Sequence, residues 1–158
     1  MKDWKPRLKR LFIYWFATGG FVGFVPFAPG TMGSLVGLGI VYLLGGVPFW
    51  VLILLAVALG AVGVWSAHQL DHILGVHDSG HIVIDEIVGI LITMVGIPVT
   101  GYWLFWGFLI FRLLDVVKIP PANYFDERMK NGWGVMLDDV AAGIYGNLLL
   151  QLMLRAQL

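Results

Sequence analysis

The chain has 158 residues, 59% of them hydrophobic and only 13% charged, with a formal net charge of zero. That charged share is about half of what an ordinary soluble domain carries, so fully solvated faces are a poor fit. No cysteine occurs, which excludes disulfides, thiolate metal sites and cysteine-nucleophile phosphatases.

"MKDWKPRLKR" opens the sequence with five Lys/Arg against one Asp. Such a block beside an apolar run is expected on the cytoplasmic side of a membrane. The following run holds glycines, prolines and aromatics and no clear A-x-A cleavage site. It therefore reads as a basic amphipathic anchor, with Trp4 at the headgroups, and not as a signal peptide. Residues 1–10 are assigned to this basic segment and residues 11–158 to a single helical domain.

No Asp, Glu, Lys or Arg lies between Arg10 and Asp71, and charge-free gaps recur over 87–111 and 140–154. Soluble bundles need charged faces, so a membrane-embedded all-α bundle is expected in preference to a very apolar soluble one. Gly/Pro turns punctuate the apolar segments. "FVPFAPGTMGSL" breaks the first, and "LGGVP" precedes a long arm, Phe49 to Ala67. "GIPVTG" is the tip of a hairpin whose arms are His81–Val95 and Tyr102–Val117. "KIPPANYFDERMKNGWG" reads as one long polar loop, and a last helix is expected from about Val135 to Leu154. The aromatic clusters at Phe49–Trp50 and Tyr102–Trp106 suit either a far-side interfacial belt or bundle packing.

Counting from the "GIPVTG" tip, Asp85 stands level with Arg112, and Asp115 with Ile82. Each lies roughly 20–25 Å from the tip at 1.5 Å per residue, near one face of a hydrocarbon layer about 30 Å thick. Asp138 and Asp139, just after the polar loop, and the "APGTMGS" turn are expected at the same pole. Arg112, Lys118, Arg128 and Lys130 make that pole basic and therefore cytoplasmic.

Asp85, Glu86, Asp115, Asp138 and Asp139 arrive from three segments. Five converging carboxylates would repel one another and resist ionisation. A divalent cation relieves that, and Mg²⁺ favours oxygen ligands. The plainer alternative is helix-dipole acids paired with Arg112 and Lys118. Arg112, Asp115 and Lys118 fall along one face of a helix, with a guanidinium fork and an ammonium suited to phosphate. Thr31 and Ser34 in "APGTMGS" could help hold an anion at a helix start. In "GVHDSGH", His77 is a candidate acid/base group and Asp78 a candidate substrate contact; the same stretch also suits a polar cap, with Asp78 or Ser79 at the N-cap. His68 and His72 read as interfacial polar residues.

Taken in order, "APGTMGSL" (28–35), "GVHDSGHIVIDEIVG" (75–89), "FRLLDVVK" (111–118) and "GWGVMLDDVAAGI" (132–144) resemble the phosphatidylglycerophosphatase A family of bacterial membrane lipid phosphatases. The resemblance implies Mg²⁺-dependent removal of the terminal phosphate of phosphatidylglycerophosphate at the bacterial inner membrane. Family sequences usually read Lys-Pro-x-Pro where this chain has Lys118-Ile119-Pro120-Pro121, so a local change of loop geometry is expected.

The expected mechanism places Asp85, Glu86, Asp115, Asp138 and Asp139 around one or two Mg²⁺ ions. Asp85, Glu86, Asp115, Asp139 and His77 are the catalytic candidates; Thr31, Ser34, Arg112, Lys118 and Asp78 would hold the substrate. No D-x-D or P-S-G-H occurs, which argues against aspartyl-phosphate and histidine-nucleophile chemistry. The expected partners are the bilayer and a lipid substrate, without nucleic acid and with the oligomeric state open. A small transporter or channel with a carboxylate cation site is the alternative.

Overall fold

In the computed structural model, residues 5–76 and 79–156 are described, the side chains of Lys5, Pro6 and Asp126 excepted. Among the described residues seven helices follow in order: α1 (Lys5–Ala17), α2 (Pro29–Leu43), α3 (Phe49–Leu74), α4 (Ile84–Thr93), α5 (Gly101–Val117), α6 (Ala122–Arg128) and α7 (Gly132–Ala156). A short 3₁₀ turn (Val22–Phe24) lies between α1 and α2, and no strand occurs among the described residues. The all-α expectation holds.

The shortest of the apolar helices forms the centre. On α4, Ile84, Asp85, Ile87, Val88, Gly89, Ile90, Leu91 and Thr93 are all buried, which covers nearly every side of the helix. Packed around it are α7, α2, α3 and α5. At about 1.5 Å per residue it is far too short to cross roughly 30 Å of hydrocarbon. Its closest neighbour is α7, because both helices carry a glycine where they cross. A Cβ on Gly143 would lie 2.6 Å from Gly89 O, and one on Gly89 would lie 3.1 Å from Asp139 O, besides colliding with the Phe111 ring of α5. Bulk at either position would force the helices apart. The pair thus sets how near the acidic part of α7 comes to the start of α4. Asn147 Nδ2 seals the other end of α4 by donating to Thr93 O (2.9 Å) and Val95 O (2.8 Å).

One described helix, Phe49–Leu74, is long and apolar enough to cross a membrane. It runs past the expected end at Ala67 and takes in His68, Asp71 and His72. Polar side chains do not stop a helix. What ends this one is Gly75, in the left-handed region at φ 70°, whose N–H bonds Asp71 O. His68 and His72 are exposed on it, their Nε2 atoms 3.2 Å apart.

Two boundaries differ from the sequence reading. Part of the expected polar loop is α6, which packs on α7 and buries Ala122. The last helix starts at Gly132, earlier than Val135, because Asn131 Oδ1 accepts from Trp133 N (2.9 Å) and Gly134 N (3.4 Å) as an N-cap does. Ser79 is not an N-cap. Val83 holds the N-cap position of α4 without a side-chain bond, while Ser79 N points to Asp71 Oδ1 at 3.5 Å. His77 and Asp78 lie outside the described residues.

Candidate active site

The start of α4 and the second turn of α7 bring three carboxylates together. Asp85, Glu86 and Asp139 each offer an oxygen, and these oxygens lie within 4.8 Å of one another. Asp85 and Asp139 are buried, and Glu86 nearly so. Glu86 Oε2 is buried with no hydrogen-bond partner among the described residues. An orphaned carboxylate oxygen in such a place is costly, and its natural complement is a cation.

The other two acids of the sequence reading each have a basic partner. Asp115 accepts from Arg112 Nη1, one turn back on α5. Asp138 Oδ2 takes Lys118 Nζ at 3.0 Å. Arg112 also stands 4.0 Å from Glu86 Oε1, so its guanidinium bridges the central acids and Asp115. Lys118 ends α5 in the left-handed region at φ 49°, with its N–H on Leu114 O. Arg112 and Lys118 remain about a quarter exposed, more open than the acids they face. Both cations thus lie nearer the surface than the carboxylates they pair with.

All these acids lie outside α3. Burial first, then the neighbouring Asp85 and Asp115 carboxylates, holds the Glu86 carboxyl well above the usual range. Burial does the same to Asp139, reinforced by Asp115, Asp85, Glu86 and Asp138. Asp138 is pushed up to about 7 by burial, against the opposing pull of Lys118. Like charges in low dielectric favour the protonated form unless a cation intervenes.

The first turn of α2 closes the site on a third side. Ala28 adopts the left-handed region at φ 46°, with Pro29 opening the helix. A Cβ on Gly30 would collide with Glu86 Oε1 and lie 3.3 Å from Arg112 Nη1. The sequence reading picked out Thr31 and Ser34 in this turn and missed Gly30, whose only signal was a place between Pro29 and the hydroxyls. Thr31 is partly exposed beside it. Ser34 is fully buried, and its hydroxyl donates to Gly30 O at 3.0 Å, inside its own helix.

Three comparisons bear on this arrangement. The family model described as Phosphatidylglycerophosphatase A matches residues 15–154. The chain belongs to the phosphatidylglycerophosphatase A family. It is 43% identical over 130 residues to a protein of that name from Escherichia coli (strain K12), covering 81% of this chain and 75% of the relative. Identity to the Haemophilus influenzae protein of the same name is 41% over 138 residues, covering 84% and 83%. A Bacteroides thetaiotaomicron protein named putative phosphatidylinositol-3-phosphatase is 37% identical over 144 residues, covering 84% and 87%. No solved structure matches.

The family match takes in every element that builds the site, α2, α4, α5 and α7. It also takes in Tyr145, whose hydroxyl donates to Pro120 O at 2.7 Å and ties α7 to the turn after Lys118. Tyr145→Phe removes that tether and nothing else. We expect a roughly 3- to 10-fold fall in kcat/KM with thermal stability lowered by about 1 kcal/mol or less, the worth of one hydrogen bond. Steady-state kinetics and a melting curve check both.

Proposed function

We propose that this protein is a membrane-embedded, Mg²⁺-dependent phosphatase that releases the terminal phosphate of phosphatidylglycerophosphate to give phosphatidylglycerol. The observation that carries the reading is the buried Asp85–Glu86–Asp139 cluster with its orphaned Glu86 oxygen, on a chain of this family.

The donor set fits Mg²⁺, a hard cation that takes carboxylate oxygens and keeps several waters. Asp85, Glu86 and Asp139 would hold it, with Asp115 and Asp138 able to join if Arg112 and Lys118 turn to the substrate. When bound, the ion supplies positive charge at the phosphoryl group and makes water more acidic. The chain's own residues do the rest. Arg112 and Lys118 meet the phosphate at the rim and offset charge on its equatorial oxygens. Thr31 and the first-turn amides of α2 orient the phosphate or the glycerol beside it. Gly30 keeps that helix close to Glu86.

A lipid substrate suits the exterior. Leu43, Phe27, Val116, Tyr42 and Val57 are each at least 65% exposed, side chains that acyl chains would cover. In our reading the helical hairpins stand in the bacterial inner membrane with the polar motifs at one pole, facing the cytoplasm. The phosphate is then reached at the surface while the acyl chains stay buried. The transporter alternative is not favoured, since the chain's family is one of phosphatases.

The Bacteroides relative carries another headgroup in its name, so the shared chemistry is a phospholipid phosphomonoester. The two relatives of higher identity carry the glycerophosphate name, and we adopt it. Purified protein in mixed micelles is expected to release phosphate from phosphatidylglycerophosphate with Mg²⁺ and to stop in excess EDTA. Turnover of phosphatidylinositol-3-phosphate alone would overturn the headgroup, and undiminished turnover in EDTA would overturn the metal.

A further inference from the structure

A groove of about 550 Å³ lies between α3, α4 and α7. Its walls include Gly60 and Ala61 of α3, Val88 and Ile92 of α4, and Met136 and Val140 of α7. The polar groups in the lining are Asn147 and the Trp133 indole N–H, and the Asn147 amide is engaged with Thr93 O and Val95 O. The groove therefore offers a ligand almost no hydrogen bonds. It is not closed over: Val57 and Leu148, also lining it, are 65% and 55% exposed.

Two features tie it to the carboxylates. Val88 follows Asp85 by one helical turn on α4, and Met136 and Val140 flank Asp138 and Asp139 on α7. The groove thus passes within a turn of the cluster. From Val140, beside Asp139, its α7 wall extends to Leu148, roughly 12 Å at 1.5 Å per residue. One leaflet of hydrocarbon is about 15 Å deep, half of a roughly 30 Å core.

We infer that this groove seats one acyl chain of the phospholipid substrate, and so selects substrates by chain length. The inference rests on the lipid-phosphatase reading above. Its logic is continuity: a phosphomonoester held at the acids leaves its lipid tail to run along the apolar surface that passes there. The width comes from small residues on α3. A Cβ on Gly60 would have Val88 Cγ1 as its nearest neighbour, 3.9 Å away, so a larger side chain at this position projects into the groove.

Gly60→Leu tests this. Leucine is a better helix former than glycine, so the change does not weaken α3 by propensity, and a melting curve confirms the fold. With long-chain phosphatidylglycerophosphate, KM is expected to rise about tenfold or more, because several buried methylenes lose their place. With the dihexanoyl substrate the change is expected to stay below about twofold, since so short a tail scarcely enters the groove. Equal losses on both substrates would overturn the inference, as would an altered oligomeric state of the variant, which would make the groove a seat for a second copy.

A second measurement does not need turnover. A long-chain lipid phosphate with a photoactivatable acyl tail, cross-linked to wild-type protein in micelles, is expected to label peptides of 53–64 and 133–148. Labelling spread evenly over the exposed apolar surface would overturn the groove. Should wild-type protein turn over neither substrate, the reaction assignment fails, and the cross-linking still decides the groove.

Discussion

Asp139→Asn is expected to abolish activity and, in the absence of divalent cations, to make the protein more stable. Asparagine keeps the shape of aspartate and removes its charge. In the wild-type chain the Asp139 carboxylate is buried beside Asp115, Asp85, Glu86 and Asp138, and all of these disfavour its ionised form. The folded metal-free chain must bury that charge or take up a proton, a cost that asparagine does not carry, and a rise of roughly 2–10 °C in melting temperature is expected. Turnover is expected to fall at least about 100-fold, because changes even to groups behind metal ligands cost 10- to 100-fold. The pH dependence has a definite sign. Asp138 has a folded-state value of about 7 against an ordinary 3.8, so between those values the folded chain binds more protons than the unfolded one. Stability of the metal-free protein therefore falls as pH rises from about 4 to 7, and the raised Glu86 and Asp139 carboxyls act in the same direction. Mg²⁺ is expected to raise the wild-type melting temperature at pH 8 and to raise that of Asp139→Asn much less. Melting curves at pH 6 and 8, with EDTA or with Mg²⁺, measure all of this; a variant less stable than wild type in EDTA would contradict it.

The sequence carried the element types and the acidic segments well, because both follow from local pattern. Charge-free apolar runs broken by Gly and Pro give helices, and four motifs in order give the family. What it did not carry is the pairing among side chains. Five carboxylates read alike along the chain. The Arg112–Asp115 pair follows from i, i+3 spacing on one helix, but only the rotation of α5 and α7 in the fold gives Lys118 to Asp138 and brings Asp85, Glu86 and Asp139 together. The burial of α4 on nearly all sides was likewise invisible, since an apolar run looks the same whether lipid or protein surrounds it. Helix α6 was missed for a local reason. Pro120, Pro121 and a run of polar residues mimic a loop, yet the helix begins at Ala122, just after the prolines, and packs against α7. Ser79 seemed a good cap by residue type, but the backbone turns four residues too early for it to reach α4.

Gly30→Ala is expected to inactivate the enzyme while leaving it folded. Gly30 sits in the first turn of α2 with helical backbone, so alanine is locally as good a residue there or better. The added methyl nonetheless occupies the place of Glu86 Oε1 and approaches Arg112 Nη1 at 3.3 Å. Glu86 can yield only by swinging its carboxylate away from Asp85 and Asp139, since α4 behind it is packed on α7 and α3. That breaks the three-oxygen set and moves the guanidinium that links it to Asp115. A misplacement of about 1 Å in such a constellation costs on the order of 100-fold in rate. We therefore expect kcat/KM to drop by about that factor, with the Mg²⁺ concentration for half-maximal activity rising and the metal-free melting temperature within roughly 2 °C of wild type. The loss has a diagnostic signature, because shortening the displaced acid should restore part of what the methyl takes. In Gly30→Ala/Glu86→Asp the carboxylate is drawn back toward α4, and the double variant is expected to be more active than Gly30→Ala alone. Wild-type rates in Gly30→Ala would show that α2 does not press on the site, and equal inactivity of the single and double variants would place the damage in α2 itself and not at Glu86.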